Sequence, residues 1–69
     1  MKPSLEFVVE ASETTLVVDT ARATAGDALD RITVAPIDGT PRFTVVIALS
    51  QGAAARVMRA IMNALEKSG

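Results

Sequence analysis

The side chains that could carry chemistry in this sequence are Glu10, Ser12, Asp19, Asp27, Asp30, Asp38 and Ser50. Covalent catalysis needs a hydroxyl or thiol beside a base that takes its proton. The chain has no histidine and no cysteine, so the commonest base and the most reactive nucleophile are both missing. Nothing in the spacing of Ser12 or Ser50 puts either serine next to a carboxylate in a recognisable nucleophile–base arrangement. Asp38 precedes Gly39 and serves a turn, while Asp27 and Asp30 read as solvent-facing. The expectation is a protein that is not an enzyme, holds no metal and needs no cofactor.

The totals narrow the partners. Seven basic and eight acidic residues give a net charge of −1. A nucleic-acid surface asks for a basic stripe and stacking aromatics, and the only aromatics are Phe7 and Phe43, so nucleic acid is not expected. Apolar runs fall far short of the roughly 20 residues of a membrane span. Met1-Lys2-Pro3-Ser4 leads into Glu6 and Glu10 and not into an apolar signal core, which points to a cytoplasmic protein without a membrane partner. At 69 residues and 49% hydrophobic composition the chain makes one ordered domain. A chain of this size buries only about 60% of the surface it exposes when unfolded. With no disulfide or zinc site to add stability, a partner subunit is the natural supplement.

The elements follow from periodicity. Leu5-Glu6-Phe7-Val8-Val9-Glu10 alternates, with Leu5, Phe7 and Val9 on one side, and reads as a strand. Residues 13–25 read as a helix capped by Ser12 and stopped by Gly26, with Leu16, Thr20, Ala21 and Thr24 on one face. Its first half, TTLVV, is β-branched, so a hairpin that pairs Leu16-Val17-Val18 back on the first strand is the competing reading. Ile32 and Val34 mark a second strand, Asp38-Gly39 a hairpin turn, and Phe43, Val45, Ile47 and Leu49 one face of a third strand. A final helix over about 51–66, with Ser50 as N-cap, carries Ala54, Val57, Met58, Ile61, Met62 and Leu65 as an apolar stripe, its methionines filling the core.

Pro36 removes a ladder donor and sends the second strand to a sheet edge; the nearly unbroken apolar third strand belongs in the middle. A right-handed crossover then gives a ferredoxin-like split βαβ fold of the α+β class: β-α-β-β-α, with an antiparallel sheet and both helices on one face. The chain stops at Glu66-Lys67-Ser68-Gly69, so the fourth strand of the full arrangement is expected to be lacking. The first strand is left with an open edge at Phe7, Val8 and Val9, and Thr44, Val46 and Ala48 join Val8 on an uncovered face. These six residues are the expected interface.

The run TLVVDTARATAGDALDRITVAPIDGTPRFTVVIALSQGAAARVMRAIMNAL resembles an ACT domain, the small regulatory module of amino-acid metabolism. It is especially similar to the short stand-alone type that serves as regulatory subunit of acetolactate synthase. The resemblance covers roughly residues 5–66 and is one of pattern. It implies a single domain that acts as a regulatory or accessory subunit, associating as a homodimer or with a larger metabolic enzyme and sensing an amino acid. In that family the effector sits at the junction of strand one and helix one, here Ala11, Ser12 and Glu13. The glycine often found there is absent, and acidic Glu13 would repel a ligand carboxylate. Ser12 could hold an anion at the helix start or simply cap it. A self-associating structural module without a small-molecule ligand is the alternative.

Overall fold

The computed structural model describes residues 4–68. Met1 to Pro3 and Gly69, which bear on the readings of a leader and of the chain end, lie outside them. The elements run β1 (Ser4–Glu10), α1 (Ala11–Ala25), a 3₁₀ turn (Gly26–Ala28), β2 (Leu29–Pro36), β3 (Arg42–Leu49), a second 3₁₀ turn (Gln51–Ala53) and α2 (Ala54–Ser68).

The strands form one sheet in the order β1-β3-β2, with β3 antiparallel to both neighbours. The two outer strands therefore point the same way, and the chain crosses between them through α1. This is the α+β, ferredoxin-like split βαβ architecture, with a three-stranded antiparallel sheet under two helices. Across the sheet, Leu5 and Ile32 flank Ile47, and Phe7 and Val34 flank Val45. These positions share the helix-facing side, where Val45, Ile47 and Leu49 are wholly buried against Val17, Val57 and Ile61. Each such side chain is worth about 1.5–3 kcal/mol relative to exposure. Phe43 shares this side but sits half-buried at the hairpin end, outside the core cluster.

The β-branched start of α1 is helical because burial outweighs local preference. Val17 is fully enclosed, followed at i+4 and i+8 by Ala21 and Ala25, whose small side chains let the helix lie close to its neighbours. The buried face is thus Val17-Ala21-Ala25, turned from the expected Leu16-Thr20-Ala21-Thr24. Thr14, which favours strands, turns its hydroxyl back to donate to the Ala11 carbonyl at 2.8 Å. No Leu16–Val18 hairpin forms.

The helix begins earlier than Ser12 would dictate. Glu10, the last residue of β1, is the N-cap: its carboxylate accepts from the Glu13 amide, and its own N–H donates to the Glu13 carboxylate at 3.0 Å. This reciprocal capping box satisfies two amides at the helix start and leaves Ser12 inside the first turn. At the far end Gly26 takes φ 54° and donates its N–H to the Arg22 carbonyl, a positive φ that favours glycine.

The hairpin differs in detail from the doubly positive turn that Asp-Gly suggests. Only Gly39 has positive φ, at 79°. Thr40 closes the loop instead. Its amide donates to the Ile37 carbonyl at 3.2 Å, its hydroxyl donates to the same carbonyl at 3.0 Å, and that hydroxyl accepts from the Arg42 amide at 3.2 Å. The five residues between Pro36 and Arg42 need this side-chain brace because no two-residue turn spans them.

Candidate functional site

The residues that could have done chemistry are dispersed. Glu10 ends β1, Ser12 and Asp19 lie on α1, Asp27 is in the 3₁₀ turn, Asp30 is on β2, Asp38 is in the hairpin and Ser50 precedes α2; all are exposed. Among the described residues no polar or charged side chain is buried, and no three acidic residues come together as metal ligands. No helix among them is long and apolar enough to cross a membrane.

The effector position expected at Ala11, Ser12 and Glu13 is not a loop. Strand passes to helix without an intervening residue, and the Glu13 carboxylate is engaged with the Glu10 amide. A shallow concavity of about 360 Å³ lies beside it, lined by Glu10, Ser12, Glu13, Leu16 and Ser68. Its charged lining is two carboxylates, which suits an anion poorly.

The feature that stands out is the outer side of β1. Among the described residues the strand is hydrogen-bonded to β3 alone, so every second residue aims its N–H and C=O away from the sheet. Of the expected interface residues, Val9 is buried under the helices, and Phe7 is half-buried and packed on the core, so neither presents its side chain at the open edge. Val8 is 54% exposed on the opposite, uncovered face, where Thr44 and Val46 are half-buried by their neighbours along with Ala48.

A second apolar surface was hidden in the α2 stripe. Val57 and Ile61 enter the core, but Met58 is 42% and Met62 58% exposed, so these methionines do not fill the core as the periodicity suggests. The stripe is wider than the area that β1 and α1 cover. At about 100° per residue, Met58 and Met62 fall on the flank of α2 opposite Ala60, which lines the groove toward Thr24 of α1. Since β1 is the strand on which α2 packs, that flank overhangs the open β1 side. A shallow hollow of about 420 Å³ on the outward face of α2 is lined by Ala55, Met58, Arg59, Met62, Asn63 and Glu66, all from α2 itself. The signal available in the sequence was the stripe's width, six apolar positions on a helix with one sheet edge beneath it.

No family model, no curated protein and no solved structure matches this chain.

Proposed function

We propose that this protein is a non-catalytic accessory or regulatory subunit that works by docking, either with itself or with a larger metabolic enzyme. The observation that carries this reading is the unpaired β1 edge with exposed Met58 and Met62 beside it. The outward backbone donors and acceptors between Ser4 and Val8, next to an apolar flank, are the kind of surface that strand addition uses. The ACT-like pattern of the sequence supports a regulatory setting in the cytoplasm, with amino-acid sensing as its finer version. A purely protein-binding module is the second reading, favoured by the missing loop and acidic lining at Ser12.

Two measurements test this. Mass in solution, read with amide hydrogen exchange along β1, shows whether the edge is free, covered by a partner or covered by the chain itself. A monomer whose outward β1 amides resist exchange would overturn the docking reading. A thermal-shift screen with branched-chain and other amino acids tests sensing, because a ligand at about 100 times its Kd adds roughly 2.7 kcal/mol. No shift with any of them removes the effector and leaves the docking role.

A further inference from the structure

We infer that the β1 edge receives a single extended segment of a different protein, one that sets a lysine or arginine opposite Glu6 between two apolar residues. The inference rests on the docking reading and adds the chemistry of the partner to it.

The outward backbone groups fix where the segment lies. The Glu10 N–H is given to the Glu13 carboxylate, and the carbonyl of Arg42, its partner in register, accepts from Ile37 on the β2 side. Alternation along an antiparallel ladder then turns the backbone of Ser4, Glu6 and Val8 outward and that of Leu5, Phe7 and Val9 toward β3. A segment hydrogen-bonded there spans Ser4 to Val8, with Glu6 at its centre.

Charge chooses the residue opposite Glu6. The Glu6 side chain is exposed on the uncovered face of the sheet, beside Val46 and between Ser4 and Val8. Among the described residues, the nearest basic groups on that face are Arg42, about 13 Å along the sheet, and Arg31, on the far strand about 10 Å across. Every charge on β1 is a carboxylate, so a lysine or arginine opposite Glu6 adds the cation that its neighbours do not supply. A second copy offers no such strand at an open edge. Its β1 has no basic residue, and its Arg31 lies beside the bulge of a strand that ends in Pro36.

Shape chooses the rest. Residues on either side of the cation turn to the helix side, where they meet Leu5 and half-buried Phe7. Above them lie exposed Met58 and half-buried Leu65, seven residues apart and so on one flank of α2. Apolar side chains suit that position. The next strand place is about 5 Å from β1, whereas a helix is about 10 Å across, so only a strand that brings no helix of its own fits beneath the flank.

The probe is the capped peptide Thr-Val-Lys-Val-Thr, which has the same pattern in both directions and so fits whichever way the segment runs. Its control carries Glu in place of Lys. Each is titrated at millimolar concentration into the full chain, with amide shifts and amide exchange as readouts. The Lys peptide should slow exchange at Glu6 and Val8 and bind about fivefold tighter than the Glu peptide. Glu6→Lys, at an exposed site, should reverse that preference with the far-UV spectrum unchanged. Met58→Ala should weaken both peptides alike, by about threefold. Equal binding of the two peptides overturns the charge rule. Binding of neither, with Ser4 to Val8 amides exchanging freely, overturns the inference and leaves docking to the Met58 and Met62 flank alone. Protection that grows with protein concentration, without peptide, gives the edge to a second copy and also overturns it. A monomer whose outward β1 amides resist exchange sinks the docking reading as well.

Discussion

The two outer strands of the sheet carry similar apolar content and opposite treatment of their backbones. Val34 on β2 is 43% exposed and Val8 on β1 is 54% exposed, so side-chain hydrophobicity does not distinguish them. What differs is the ladder. β2 ends in a residue without an N–H, departs from register at its start and exposes Arg31 beside the irregularity. β1 runs straight from Ser4 to Glu10 and lies under a helix flank that also lacks cover. An edge is guarded by missing donors and broken register more than by polar side chains, and only one edge here is guarded.

The largest test of this contrast is within β1 itself. Val9→Lys places a charge in the core and should cost about 3–5 kcal/mol, a large fraction of the stability of a chain this small. Circular dichroism should show little folded protein at 25 °C. Val8→Lys, one residue away on the uncovered face, should change stability by about 0.5 kcal/mol or less and reduce association seen by light scattering. If both variants unfold the chain, β1 does not have two different faces.

Gly39→Ala acts on the guarded side by straining the hairpin that ties β2 to β3. A Cβ at Gly39 meets nothing within 4 Å, so the cost arises from its φ of 79° and should be about 1–2 kcal/mol, read as a lower Tm. Glu13→Ala removes one half of the capping box at the end of β1 and should cost about 0.5–1 kcal/mol, read by urea unfolding. Pro36→Thr should alter stability least. By returning a donor to β2, it should let the protein grow into larger species at high concentration, which sedimentation would detect. No growth would mean that the bulge alone suffices to guard that edge.

Much of the fold was legible because Pro36, the Asp38-Gly39 turn and the alternation of Phe43 to Leu49 each constrain a strand by backbone chemistry. These features placed β2 outside, β3 in the middle and the helices together. The rotation of α1 was not legible, since choosing Val17-Ala21-Ala25 over Leu16-Thr20-Thr24 depends on how near the helix can approach the sheet. Ser12 misled for a related reason. Short polar residues are good caps in isolation, but a pair of glutamates three apart satisfies two amides at once. The exposure of Met58 and Met62 was invisible because hydrophobic periodicity reports which residues want cover, not how much cover the rest of the chain provides.

Glu10 belongs to two elements, and that gives β1 no slack. Sliding the strand by two positions, the smallest step that returns each residue to its own face, would pull Glu10 away from Glu13 and strip the first amides of α1, at about 1 kcal/mol. The start of the helix therefore acts as a stop for the strand, and any chain that joins this sheet meets a ruler of set length.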